Sequence, residues 1–224
     1  HRFGLDRGFA TYDDRMVAEQ MGEQGYPERD GAAVTDAALA WAKKLPPGRP
    51  YFLWIHYYDP HAPYRPPGDW AGKTKAQRYA GEVAFMDAQI GRLLSALPET
   101  AGGRLVAAVG DHGEMLGEHG EKEHGILLYR GSLSVPLLLA GPRVPEGAEV
   151  RDLVGTRALA PTLLALSGAA EDAKPLGEAL PGAGLPAKSP ETVYSETFLP
   201  ASSYGWSPMR SVTGPTLTAP IPTP

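Results

Sequence analysis

The sequence predicts an α/β fold, built as a mainly parallel sheet with helices on both faces. Three short apolar runs, at residues 51–58, 104–109 and 135–140, have the composition of strands. Other stretches place apolar residues at three- and four-residue steps, which is the spacing of one helix face. Strands that alternate with helices along a chain are typical of parallel sheets covered on both sides.

The N-terminal half begins with one helix and one strand. Thr35 can cap a helix over DAALAWAKKL, which the Pro-Pro-Gly sequence at 46–48 would end. The run YFLWIHYY at 51–58 is aromatic and β-branched and is bounded by prolines. These features predict a buried strand, in which His56 would be a buried and hydrogen-bonded histidine.

The most regular helical pattern runs from about residue 74 to residue 97. Its apolar positions are Tyr79, Val83, Met86, Ile90, Leu93, Leu94 and Leu97. Pro98 would end this helix, because proline lacks an amide hydrogen and cannot continue the ladder. The strands RLVAAV and VPLLLA follow, and APTLLALSG fits a short helix with Pro161 in its first turn and Gly168 past its end.

The composition excludes several classes of protein. The 224 residues carry a formal net charge of −5 and show no basic cluster, so no nucleic-acid partner is expected. No apolar run reaches the roughly eighteen residues that a membrane span needs. Cysteine is absent, which excludes disulfides and thiolate metal sites. The first residues resemble neither an initiator segment nor a signal peptide, and we read them as the middle of a longer protein of unknown compartment.

Two histidine-containing stretches directly follow predicted strands. The first, HYYDPHAPY, covers residues 56–64, and the second, GDHGEMLGEHGEKEHG, places three histidines and five acids at residues 110–125. In parallel α/β sheets the ligand crevice lies outside the carboxyl ends of the strands. We therefore expect both stretches at the same edge of the sheet, which is the first indication of a functional site.

Asp111 and His112 are the strongest candidates for chemistry. Gly110 and Gly113 flank them, and glycines permit a tight backbone path that aims two consecutive side chains at one point. An aspartate oxygen and a neutral imidazole nitrogen are both good ligands for a divalent cation, although two ligands do not complete a shell. The alternative is a turn that holds a hydrogen-bonded Asp-His pair.

The other histidines are weaker candidates. His61 lies between Pro60 and Pro63, which restrict the backbone and so the direction of the imidazole. Such a histidine could donate a hydrogen bond to an anionic substrate or act as a general acid, or it could simply belong to a surface loop. His119 or His124 could reach the same site, while the neighbouring acids Glu118, Glu121 and Glu123 are expected to be solvated.

Five segments in order resemble the sulfatase family over roughly residues 1–212. They are DPHAPY, YAGEVAFMDAQIGRLLSAL, GDHGEMLGEHGEKEHGILLYRGSLSVPLLLAGP, APTLLALSG and YGWSPMRS. The resemblance implies an alkaline-phosphatase-like α/β sheet with a metal at its carboxyl edge, and hydrolysis of a small-molecule or glycan sulfate ester. It also implies an incomplete catalytic domain at 1–212, and the proline-rich residues 213–224 are expected to be a disordered tail.

The resemblance assigns roles to four residues. Asp111 and His112 match the family's metal-ligand pair, and His61 and His124 match catalytic positions that contact the sulfate group, the second being a lysine in many members. Ca²⁺ is expected first on family grounds, whereas a histidine ligand favours Mn²⁺ or Zn²⁺. Sulfatases make their formylglycine nucleophile from a Cys or Ser in a C/S-x-P-x-R sequence, which this chain lacks, so we expect it to be inactive alone.

Two alternatives remain open at this stage. One is a phosphoesterase or phosphoethanolamine-type transferase of the same superfamily, which would use a Ser or Thr nucleophile and more histidine ligands. The other is a non-catalytic remnant that binds a metal without turnover. The substrate, any membrane association and the oligomeric state are not determined by the sequence.

Overall fold

The computed structural model describes residues 4–16, 28–169, 176–185, 189–190, 192–214 and 218–220. The chain divides into two compact units, His1–Pro98 and Glu99–Pro224. Among the described residues, none of the helices combines the length and apolar character that a membrane crossing requires. The expectation of one domain over residues 1–212 stays a prediction.

The first unit begins with helix α1 (Gly31–Ala42), which starts earlier than predicted. Its cap is Asp30, whose carboxylate accepts a hydrogen bond from the amide of Ala33 at 2.7 Å. Thr35, the expected cap, instead lies fully buried inside the helix with its hydroxyl 2.8 Å from that of Tyr57. Aspartate caps a helix as well as threonine does, so the earlier residue sets the start.

Helix α2 (Lys75–Ala96) confirms the predicted helix, although Val83 of the predicted apolar face is exposed and Phe85 is buried instead. Thr74 accepts a hydrogen bond from the amide of Gln77 at 3.2 Å, and the Gln77 side chain accepts one from the Thr74 amide at 3.1 Å. This reciprocal capping box satisfies two amides that a helix start leaves without partners. At the other end, Leu93 and Leu97 pack with Ala42 of α1 in a small apolar core.

Residues 51–58 do not form the buried strand that the sequence predicts. Burial alternates along this segment, but it pairs with no strand among the described residues. Phe52 and Trp54 are 70% and 60% exposed, and His56 is exposed rather than buried. The prediction was wrong because aromatic residues occupy both faces of the segment, and their composition imitates a strand buried on both sides.

The second unit contains two small antiparallel sheets. Strand β1 (Val106–Val109) pairs with β2 (Leu137–Ala140), with Val106 opposite Ala140. Strands β3 (Val193–Thr197), β4 (Met209–Thr213) and β5 (Thr218–Pro220) form the other sheet in that order. The α-helices that the structure describes in this unit are short: α3 (Arg130–Leu133), α4 (Leu159–Ser167) and α5 (Leu199–Tyr204).

The α/β class is confirmed, but the strand pairs of the described residues are antiparallel, which corrects the expectation of a mainly parallel sheet. Parallel neighbours need a crossover connection, usually a helix that covers one face of the sheet. Between β1 and β2 the only α-helix is α3, a single turn of four residues. The glycine-rich connection lacks an apolar helix face, so the chain returns antiparallel to β1.

The expected disorder of residues 213–224 is wrong where the structure describes that segment. Thr213 ends β4, and Thr218–Pro220 form β5 against it. The open edge of β4 supplies backbone partners that a proline-rich tail can use even without hydrophobic periodicity. Residues 215–217 and 221–224 lie outside the described residues.

Candidate functional site

The loop after β1 holds Asp111 and His112 in a tight backbone path. Gly110 donates a hydrogen bond to the carbonyl of Pro136 at 3.1 Å, which continues the pairing of β1 with β2. Gly113 donates to the carbonyl of Ser132 at 2.8 Å, and a Cβ added at Gly113 would lie 2.0 Å from the carbonyl oxygen of Gly131. Only glycine fits at position 113, and the two backbone hydrogen bonds fix where the side chains between the glycines emerge.

Asp111 and His112 form a pair whose hydrogen bonds fix the imidazole tautomer. The His112 Nδ1 lies 2.9 Å from the carbonyl oxygen of Gly113, and a carbonyl can only accept, so Nδ1 carries the proton. In the neutral imidazole Nε2 then carries the lone pair, and this atom lies 3.8 Å from Asp111 Oδ1. Both side chains reach solvent, with exposed fractions of 42% for His112 and 76% for Asp111.

This pair fits a divalent cation chemically. Metal-bound histidines usually donate their other ring N–H to a carbonyl or carboxylate, as His112 does. Metal–ligand distances are about 2.0–2.2 Å, so two atoms 3.8 Å apart lie within reach of one ion. No group of three or more His, Cys, Asp or Glu side chains is arranged to hold a metal within the described ranges, so the pair offers two ligands of a shell.

His124 joins this pair through its ring. The rings of His112 and His124 stack with centroids 3.7 Å apart and planes 26° from parallel. The Nδ1 of His124 lies 3.2 Å from Oε1 of Glu114, whose side chain is only 6% exposed. A buried carboxylate that meets one ring nitrogen orients the imidazole. Glu114 stands two residues after His112, but unlike His124 it was not a candidate from sequence.

The remaining residues of the loop have local roles. His119 stacks on Tyr129 with ring centroids 3.8 Å apart, whereas His124 stacks on His112. Glu118 is exposed, as expected, and hydrogen bonds from its own amide and that of Leu116 hold its pKa below the usual value.

Glu121 is not solvated, which corrects the sequence-based expectation. It is 7% exposed and accepts hydrogen bonds from the amides of Ile126 and Leu127 at 2.8 and 3.1 Å. A carboxylate bound to two amides of the same loop fixes the backbone there. Glu121 therefore holds the chain just after His124.

His61 lies in the first unit, on the loop between residues 58 and 65. Its Nδ1 is 2.6 Å from the carbonyl oxygen of Ala62, so Nδ1 is the protonated nitrogen. The imidazole stacks on Tyr58 with centroids 4.2 Å apart, and the peptide bonds before Pro60 and Pro63 are cis. The contacts with the Ala62 carbonyl and the Tyr58 ring orient the imidazole within the loop.

Glu82 is the residue behind this loop that sequence reasoning missed. It lies on α2, is 4% exposed, and accepts hydrogen bonds from the amides of His61, at 3.1 Å, and Arg65. Burial raises the pKa of Glu82 to about 7, against the lowering effect of these two amides. The sequence does contain a signal for Glu82: it is an acid three residues after Tyr79, within the apolar face of a predicted helix.

The α/β fold presents loops in which acids and histidines are paired. The sequence model of the family described as Sulfatase matches residues 3–169. The chain therefore belongs to the sulfatase family and is a sulfatase-like hydrolase by family.

Individual relatives agree with this assignment. The chain is 27% identical to an arylsulfatase of Clostridium perfringens over 177 residues, covering 58% of this chain and 37% of the relative. It is 47% identical to human iduronate 2-sulfatase over 62 residues, covering 26% and 11%. A solved structure of a 2-O GAG sulfatase matches with a TM-score of 0.50 and 27% identity, covering 63% of this chain and 31% of that one. The match to the Clostridium enzyme spans little more than a third of that relative's length.

Proposed function

We propose that this chain is part of a metal-dependent sulfuric ester hydrolase in which Asp111 and His112 hold the cation. The observation that carries the proposal is the His112 imidazole, whose Nδ1–H is committed to the Gly113 carbonyl while Nε2 faces Asp111. This is the tautomer that a metal ligand requires. Family membership supports the sulfatase chemistry, and the donor set supports a divalent cation.

The proposed reaction assigns a different role to each candidate residue of the two loops. When bound, a divalent cation supplies Lewis-acid chemistry, which polarises an ester oxygen and stabilises a nucleophile. Asp111 Oδ1 and His112 Nε2 would bind the ion. His124, oriented by Glu114, and His61, oriented by Ala62 and Tyr58, each match a position at which the family contacts the sulfate group, and we propose one of them as the acid that protonates the leaving alcohol.

The substrate we propose is a sulfate ester on a sugar ring. Both human iduronate 2-sulfatase and the solved 2-O GAG sulfatase are named for 2-sulfated substrates, and each matches this chain over part of its length. The arylsulfatase of Clostridium perfringens keeps aryl sulfates as the second class to be tested. Ca²⁺ is proposed as the ion on family grounds, and the imidazole ligand keeps Mn²⁺ and Zn²⁺ as candidates.

The sequence also favours a second candidate, a metal-binding domain without turnover. The chain contains no C/S-x-P-x-R sequence, from which sulfatases form their nucleophile. The 224-residue polypeptide alone is therefore expected to hydrolyse no aryl sulfate above the level of its His112→Ala variant. Turnover well above that control would contradict this expectation and show that another group serves as nucleophile.

Calorimetric titration tests the proposal itself. The chain is titrated with Ca²⁺, Mn²⁺ and Zn²⁺ and compared with Asp111→Ala and, as a matched control, Glu149→Ala, an acid whose side chain is 70% exposed on another loop. We expect binding of at least one ion that Asp111→Ala weakens about tenfold or more and Glu149→Ala leaves unchanged. Absence of binding, or equal binding by Asp111→Ala, would contradict a metal role for the pair.

A further inference from the structure

Glu82 is a buried carboxylate whose two oxygens both meet the loop that carries His61. Oε2 accepts a hydrogen bond from the His61 amide at 3.1 Å, and Oε1 accepts one from the Arg65 amide. These two amides lie on either side of Pro63, which has no amide hydrogen of its own. One side chain therefore fixes the loop at two points.

We infer that Glu82 is a positioning residue, which clamps residues 61–65 and thereby sets the direction in which the His61 imidazole is presented. The inference rests on the proposed function for what His61 does, but the clamp is a property of the first unit alone. It follows from the position of the carboxylate on α2, whose start is fixed by the capping box at Thr74 and whose end packs in the apolar core.

Two contacts tie the imidazole to the loop backbone. His61 Nδ1 meets the carbonyl of the next residue, Ala62, and the ring stacks on Tyr58, three residues earlier. A shift of the backbone at residue 61 therefore moves the ring together with both partners. A displacement of about 1 Å at a group that contacts substrate can cost a hundredfold in rate, so a fixed loop matters for the proposed chemistry.

The protonation state of Glu82 sets the strength of the clamp. An ionised carboxylate accepts on both oxygens, whereas a protonated one has a hydroxyl on one oxygen and is the weaker acceptor. The charged groups that face Glu82 are Asp59 and Glu28, which repel its negative charge, and its partners His61 and Arg65 lie on the loop. Because burial raises the pKa of Glu82 to about 7, the carboxyl ionises near neutrality, and its hydrogen bonds to the two loop amides are expected to strengthen relative to those of α2, while the folded chain as a whole loses stability over the same range.

Amide hydrogen exchange measured by NMR on the full 224-residue chain tests the clamp. After correction for the intrinsic pH dependence of exchange, the protection of the His61 and Arg65 amides should rise through about pH 7 relative to amides of α2. Glu82→Gln replaces one acceptor oxygen by an NH₂ group that faces an amide, so it should lower this protection roughly tenfold or more at pH 8. Asp87→Asn, which removes an exposed charge from the same helix, should leave the protection unchanged.

Titration with inorganic sulfate separates the clamp from the function of His61. In the wild type, sulfate should shift the His61 ring resonances, and Glu82→Gln should weaken that response several-fold while Asp87→Asn preserves it. Loss of protection in Glu82→Gln without any sulfate response in the wild type would support the clamp and contradict the role proposed for His61.

Equal protection in the wild type and Glu82→Gln, or an equal loss in Asp87→Asn, would overturn the inference. If Glu82→Gln does not fold, the wild-type pH series alone tests the inference. Protection of the His61 and Arg65 amides that does not change through pH 7 would then overturn the inference.

Discussion

The pH dependence of stability offers a quantitative consequence of burying Glu82. The pKa of this carboxyl is about 7 in the folded chain, against 4.5 as its ordinary value, because burial penalises the charged form. The folded state therefore binds the proton more tightly than the unfolded state does. The stabilising effect is fully present below about pH 4.5 and is lost as the pH rises through about 7.

The magnitude follows from the two pKa values. With 4.5 in the unfolded and about 7 in the folded chain, Glu82 alone should lower the free energy of unfolding by roughly 2–3 kcal/mol between pH 5 and pH 8. Glu82→Gln cannot titrate, so its stability should change less than that of the wild type over this range. The loss of its second acceptor oxygen adds an offset that does not depend on pH.

Urea unfolding of the wild type and Glu82→Gln at half-unit steps of pH provides the assay, with Asp87→Asn as the control for removing an acid from α2. The quantity to compare is the difference between the two stability profiles, in which groups common to both cancel. Parallel profiles for the wild type and Glu82→Gln from pH 5 to pH 8 would refute the reasoning. A steeper loss of stability in Glu82→Gln would refute it as well, since the sign would be reversed.

Two further predictions concern the loop after β1. Gly113→Ala would place a Cβ 2.0 Å from the Gly131 carbonyl oxygen, so the backbone must shift. We expect urea unfolding to show a loss of stability of roughly 1–3 kcal/mol. Gly117→Ala is the control for backbone strain alone, because a Cβ there would meet no atom although φ is +123°. Glu121→Ala leaves the Ile126 and Leu127 amides without their acceptor and should destabilise the chain by about 1–3 kcal/mol. Removal of the exposed Glu123 carboxylate should change the stability by less than about 0.5 kcal/mol. Equal effects at the two glutamates would contradict the argument from burial.

Local signals in the sequence predicted most of the helices. Helix α2 follows its apolar spacing, with Thr74 as the cap and Pro98 beyond the end. Helix α4 ends at Gly168 in the left-handed region, as its glycine predicted. The start of α1 was missed because both Asp30 and Thr35 are good caps, and only packing shows that Thr35 is buried against Tyr57.

Strand pairing was the part of the fold that sequence patterns could not supply. The apolar runs at β1 and β2 were found, but their direction depends on the connection between them, which contains no crossover helix. The run at 51–58 has the composition of a central strand and yet no strand partner among the described residues. Pairing is a tertiary property, and composition reports only that a segment suits a sheet.

In the candidate site, too, local sequence signals indicated some residues, and tertiary packing determined the others. Residue type and flanking glycines or prolines marked Asp111, His112 and His61 as candidates, whereas His124 was preferred to His119 only through the resemblance to the sulfatase family. The carboxylates that orient two of them, Glu114 and Glu82, were missed because an acid in a helix or a polar loop is usually solvated. Which amide or imidazole such a carboxylate meets is decided by packing, and the neighbouring sequence does not state it.

The central claim is that Asp111 and His112 bind a divalent cation, and paramagnetic broadening by Mn²⁺ tests it at the atoms concerned. The histidine ring protons are followed by NMR while Mn²⁺ is added in substoichiometric amounts. We predict that the resonances of His112 and its stacking partner His124 broaden first, that His56 is affected only at higher concentration, and that Asp111→Ala abolishes the selectivity. Broadening of His56 together with His112, or an unchanged pattern in Asp111→Ala, would contradict the account.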